Sequence, residues 1–245
     1  VIMAHSSFGF IKPDPDFETK FNNDQIKDIM AAIEELGGEV SGQRNDKSDG
    51  RDKQTKRTVK QLMKMKESLE NRIKSLRDKP VDSLLDFAQI GVDQLFVDEA
   101  HLFKNLMYAT KMNNVRGLND PKGSQRAFDM YIKAHQIMNQ NGGDRGVVFA
   151  TGTPVSNSLA EMYHMMRFLM PTALNEAGFR SFDAWADTFA SVDQVWMQSM
   201  SGAGYKSSNR MANLINAPEL LKRFDQVADT VTNDDVKEAY SEENG

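Results

Sequence analysis

Cysteine is absent from the 245 residues. Its absence removes disulfides and thiolate metal sites and fits a soluble, reducing compartment, so a cytoplasmic location is expected. Long hydrophobic runs are also missing. Nothing approaches the roughly eighteen consecutive apolar residues of a membrane span, so no membrane contact is expected. The opening Val1-Ile2-Met3-Ala4 lacks the basic start and apolar run of a signal peptide and reads as a strand cut from a longer chain. Histidine is sparse. His5, His101, His135 and His164 are scattered without the paired spacing of a zinc site.

Positive charge is short overall, with a formal net charge of -5. Its distribution is uneven. From Arg44 to Lys79 thirteen Lys or Arg stand against six Asp or Glu, so this segment is +7 and the remainder -12. One basic element therefore sits on an acidic body.

Hydrophobic periodicity predicts the elements. Val1 to Phe10 reads as a buried strand ending in a turn at Pro13 and Pro15, and Asp24 as the cap of a helix over Gln25 to Leu36, stopped by Gly37-Gly38. Ser41 to Lys53 reads as an exposed loop. Between Gln54 and Lys79, Val59, Leu62, Leu69, Ile73 and Leu76 form a heptad pattern broken by Lys66, which predicts one arm of a helical hairpin. Leu95-Phe96-Val97 and Gly146-Val147-Val148-Phe149-Ala150 read as strands buried on both faces of a parallel sheet, joined by a helix over Ser124 to Asn139. The expected class is α/β. Beyond Pro171 the chain reads as helical, with Phe182, Trp185 and Phe189 at the spacing of a core stripe.

Two motifs follow the two strands. Asp98-Glu99-Ala100-His101 stands at a strand's carboxyl end, where α/β folds place ligands. Adjacent carboxylates there suit the holding of Mg²⁺ through water by Asp98 and the orientation or deprotonation of an attacking water by Glu99. The plain alternative is a pair of acids at a helix start. Thr151-Gly152-Thr153-Pro154 follows the second strand and leaves two hydroxyls at the same edge. Ser158 and Glu161 read as a capping box for the next helix.

Together, Asp98 to Asn105 and Ala150 to Asn157 resemble motifs II and III of Snf-type superfamily-two motors. Val1 to Ser6 is similar, more weakly, to their motif Ib. Phe182-Asp183-Ala184-Trp185 and Pro218-Glu219-Leu220 resemble the large helicase and adenine methyltransferase fusions of phages and conjugative elements. Leu102 and Ser156 depart from common family residues. The resemblance implies an ATP hydrolase acting on DNA with ATP and Mg²⁺. It also implies that His101, Thr151 and Thr153 link the two motifs, and that His5, Ser6, Lys104 and Asn105 are candidate nucleic-acid contacts.

The expected organisation is the carboxyl-terminal part of a first RecA-like lobe over residues 1–171, with a basic helical insertion at about 41–80. A helical extension over 172–245 would lead toward a second lobe outside this sequence, and a methyltransferase domain of the same polypeptide is a further expected partner. No G-x-x-x-x-G-K-[ST] phosphate loop occurs, since Gly37-Gly38 and Gly142-Gly143 lack the following Lys. This piece alone is therefore expected to be inactive. A nonenzymatic DNA-binding or scaffold module and a metal-dependent nuclease remain alternatives, the latter lacking a third acid with a nearby Lys.

Overall fold

Pro15 opens a long helical stretch because its fixed φ suits a first turn, and the Asp14 carboxylate accepts the Asp16 N–H at 3.0 Å. In the computed structural model, which describes residues 1–42, 49–77, 86–112, 115–118, 120–156, 158–198 and 204–237, this helix is preceded by a single helical turn. That turn is α1 (His5–Phe8), and the long helix is α2 (Pro15–Gly42). The strand expected over Val1 to Phe10 is therefore corrected. Val1 to Ala4 are exposed and irregular, since no neighbouring strand among the described residues offers them a ladder.

Asp24 lies inside α2, where it pairs with Lys27 at 2.8 Å instead of capping a helix. Gly37-Gly38 do not stop α2 either. Packing against α3 (Asp49–Arg77) buries Ile29 and Leu36 with Leu62, Met65 and Leu69, and this outweighs the roughly 1 kcal/mol that a helical Gly costs. The loop expected over Ser41 to Lys53 is helical at 41–42 and 49–53, and 43–48 lie outside the described residues, as does Pro80. The expected helical hairpin is present. Lys66, at the break in the heptad, pairs with Glu70 at 2.9 Å, and a half-buried Arg72–Glu18 ion pair joins the two helices.

β1 (Leu95–Val97) and β3 (Val147–Phe149) pair in parallel, connected through α4 (Gln125–Gln140), as the strand, helix, strand order predicts. The Ser124 hydroxyl caps α4 by accepting the Ala127 N–H at 3.2 Å. Along α4, Tyr131, Ile132, Ala134 and Ile137 are buried. Lys133 is buried too. Its ammonium donates to the Phe8 carbonyl at 2.8 Å and to Asp129 at 2.7 Å, which ties α1 to α4, while burial pushes its pKa down. The strands are covered on one face only. Phe96 and Val148, opposite each other in the register, are 70% and 49% exposed, so the expected two-sided burial is not observed.

Beyond β3 come α5 (Leu159–Leu169), α6 (Pro171–Glu176) and α7 (Phe182–Phe189). Phe182, Trp185 and Phe189 are core residues, as their spacing predicts. The purely helical reading of 172–245 is corrected by a hairpin of β4 (Ala190–Gln198) and β5 (Tyr205–Leu214), with β2 (Val115–Arg116) parallel to β5. The chain forms two compact units, Val1–Ile215 and Asn216–Gly245. The second contains α8 (Ala217–Phe224), opened by Pro218 in its first turn. The architecture is mixed helix and small sheet, compatible with the α/β class. No helix among the described residues is long and apolar enough to cross a membrane.

Candidate functional site

Parallel pairing in direct register, Leu95 with Val147 through Val97 with Phe149, makes the two strands end at the same edge. Their ladder continues into the loops. The Ala150 N–H donates to the Val97 carbonyl at 2.8 Å and the Ala100 N–H to the Ala150 carbonyl at 3.0 Å. Asp98-Glu99 and Thr151-Gly152-Thr153 therefore emerge side by side.

Glu99 is left-handed, with φ 51°, and caps a 3₁₀ turn over Ala100–Phe103. A non-glycine residue in that region is uncommon and marks a backbone fixed by its surroundings. Here Ala100 is fully buried and hydrogen-bonded to Ala150, and the Glu99 N–H donates to Asp98 Oδ1 at 2.9 Å. Both carboxylates are exposed. The turn also brings His101 back toward Glu99. His101 Nδ1 lies 3.1 Å from Glu99 Oε2 and 3.1 Å from Thr151 Oγ1. The same imidazole nitrogen thus reaches both loops. Thr151 Oγ1 accepts the Thr153 N–H at 3.2 Å, which closes the second loop onto the same contact. The structure thus joins Glu99, His101, Thr151 and Thr153 in one cluster, with Asp98 beside it.

Lys104 and Asn105 are placed differently from the expected nucleic-acid contacts. Lys104 Nζ donates to Ser156 Oγ and lies 3.2 Å from Glu161 Oε2, whose side chain is 2% exposed. The same Glu161 oxygen accepts the Ser156 N–H at 2.7 Å. The expected capping box is thereby corrected: Ser158 accepts the Ala160 N–H at 3.1 Å, but Glu161 turns to Ser156 and Lys104. Asn105 Oδ1 is buried, and the Asn105 carbonyl accepts the Ser124 N–H at 2.8 Å. Both residues are half-buried. His5 meets the Phe103 ring edge-on at 5.3 Å and Arg126 Nη2 at 3.2 Å, so it stands against the 3₁₀ turn and not against the carboxylates. Ser6 is exposed and lines the same cavity as His5.

Sequence reasoning passed over the supporting residues on α5. His164 Nδ1 donates to the Lys104 carbonyl at 2.7 Å, and Arg167 Nη1 donates to the Met107 carbonyl at 2.7 Å. Burial, followed by the Arg167 charge, pushes His164 down to about 3, so it is neutral. The signal for them was their spacing. Glu161, His164 and Arg167 recur every third residue on a helix that follows a motif, yet polar residues at that spacing read as a solvated face.

Among the described residues no group of three or more His, Cys, Asp or Glu could hold a metal ion unaided. The two exposed carboxylates suit a hydrated divalent cation such as Mg²⁺, which keeps most of its waters and takes one or two carboxylates together with substrate phosphates.

The paired strand ends carry acids on one loop and hydroxyls on the other, and comparison of the sequence supplies the family. The chain belongs to the family described as a probable helicase domain, which matches residues 1–232. It is 27% identical over 155 residues to the defense against restriction protein B of Escherichia phage P1, covering 59% of this chain and 7% of that protein. It is 29% identical over 118 residues to a chromodomain-helicase-DNA-binding protein 3 homolog of Caenorhabditis elegans, covering 48% and 5%. A chromatin-remodeling ATPase INO80 of Lodderomyces elongisporus is 29% identical over 93 residues, covering 38% and 6%. The matched regions thus span 5 to 7% of the length of these relatives. No solved structure matches the chain.

Proposed function

We propose that the chain is part of the ATP-hydrolysing motor of a Snf-type DNA helicase or translocase. In this reading, residues 1–171 form the carboxyl-terminal part of a RecA-like first lobe, and 172–245 lead toward a second lobe. A methyltransferase domain on the same polypeptide fits the resemblance of the segments around Trp185 and Pro218. The observation that carries the reading is the contact of His101 with both Glu99 and Thr151 across two parallel strand ends. The family membership and the names of the relatives agree with it.

Asp98 would hold Mg²⁺ through water, and the bound ion would supply charge neutralisation at the phosphates. Glu99 receives the proton of the attacking water or orients that water. His101 Nδ1, 3.1 Å from both partners, would tie the position of the Glu99 carboxylate to Thr151, so that a shift in one loop is felt in the other. Thr153 holds the Thr151 hydroxyl through its backbone N–H. His5 and Ser6 stand apart from this cluster and serve as the nucleic-acid contacts.

The test is DNA-stimulated ATP hydrolysis by the full-length protein, wild type beside Glu99→Gln. Turnover in the wild type and its loss in the variant, with ATP still bound, supports the motor. Absence of hydrolysis in the wild type would move the scaffold reading ahead.

A further inference from the structure

The heptad face of α3 is consumed by α2, and what it leaves outside is basic. Thr58, Leu62, Met65, Leu69 and Ile73 are buried, and Leu62, Met65 and Leu69 share a core with Ile29 and Leu36 of α2. On the opposite side Lys56, Arg57, Lys60, Lys64 and Lys74 are all exposed, and none pairs with a carboxylate among the described residues. At about 100° per residue these five cations fall within an arc of roughly 100°, with Glu67 the one acid among them. Glu70 is already paired with Lys66.

The stripe does not stop at the helix. Asn71 lies within the same arc and also on the wall of a cavity of about 1090 Å³ lined by residues of α1, α2, α3 and α4. The acids of that wall are neutralised internally, Glu18 by Arg72 and Asp129 by Lys133. Lys12, Lys122 and Arg126 remain as its exposed cations. A cationic track therefore runs along α3 into the cavity, on a chain whose net charge is -5.

We infer that the outer face of α3 is a docking surface for the phosphate backbone of duplex DNA. From Lys56 to Lys74 the helix rises about 27 Å, the axial length of about eight phosphates on one strand. Lysines four residues apart are about 6 Å apart along the axis, close to every second phosphate. Exposed lysines without partners meet phosphates at little desolvation cost and gain from counterion release. This deepens the proposed function, on which it rests for the identity of the polymer.

The experiment is fluorescence anisotropy of a labelled duplex of about thirty base pairs, titrated with the full-length protein over a series of salt concentrations. The variant Lys56→Gln/Arg57→Gln/Lys60→Gln/Lys64→Gln is expected to bind at least about tenfold more weakly at 0.1 M salt. Its slope of log affinity against log salt should be shallower by about 0.9 for each contact removed. Lys56→Arg/Lys60→Arg/Lys64→Arg should bind as the wild type does, and Lys20→Gln/Arg145→Gln should lose little. An unchanged slope in the four-fold variant, an equal loss in the Lys20 and Arg145 control, or no duplex binding by the wild type each overturns the assignment. ATP hydrolysis measured on the same samples separates the two readings. Hydrolysis with α3-independent binding sinks only the docking surface, and α3-dependent binding without hydrolysis sinks only the motor.

Discussion

Glu99 holds a left-handed backbone because Ala100 is pinned beneath it by its bond to Ala150, and this lets His101 turn back onto the carboxylate. Gln at this position keeps the length and the acceptor oxygen but removes the carboxylate proposed above to act on the attacking water. Turnover in the full-length protein is expected to fall by about 10² to 10⁴, with ATP affinity within about twofold. Wild-type turnover would remove Glu99 from the mechanism. A different constraint acts at Gly123, where φ is +62° and an added Cβ would lie 2.3 Å from the Met107 backbone nitrogen. Left-handed strain and a clash with backbone, which cannot rotate away, both oppose Gly123→Ala. A loss of about 2–4 kcal/mol is expected in urea denaturation. A change below about 0.5 kcal/mol would show that the Met107 segment yields.

At the scale of elements, the α2–α3 hairpin shows how much the sequence discloses. Leu62, Leu69 and Ile73 announced their buried face because a 3.5-residue period survives any choice of partner. Leu69→Ala empties a site that is 4% exposed and is expected to cost about 2–5 kcal/mol, measured by urea unfolding. A loss under about 1 kcal/mol would mean that the hairpin face adds little to the core. Where local preference and tertiary packing disagree, the sequence misleads. Gly37-Gly38 reads as a stop, yet burial of Leu36 on α3 carries the helix through it. The β4–β5 hairpin was hidden differently: Val192, Gln194 and Trp196 are exposed, so its strands lack the apolar alternation that betrays a half-buried sheet. The pairing of β1 with β3, and hence the meeting of the two loops, was legible from short apolar runs joined by a crossover helix. The tie from Lys104 to Glu161 and His164 was not, because it depends on which face of α5 turns inward.

For the molecule as a whole, two histidines buried in neutral form set the response to acid. His164 is pushed down to about 3 and His135 to about 4, in both cases first by burial and then by the charge of Arg167. In the unfolded chain each returns to about 6.5. Between those values the unfolded state binds more protons than the folded one, so stability rises with pH and is fully present above about 6.5. It is lost as pH falls through that window, at up to about 1.4 kcal/mol per pH unit for each histidine. Asp183 acts in the opposite sense, since burial holds its carboxyl above the ordinary range and the folded state then takes up the extra proton. That contribution is one carboxyl acting against two histidines. Urea midpoints measured from pH 7 to pH 4.5 should therefore fall steadily. His164→Asn keeps an N–H donor for the Lys104 carbonyl and removes one titrating group, so the variant should lose about half of the slope. An unchanged slope would show that the acid response comes from groups other than this buried pair.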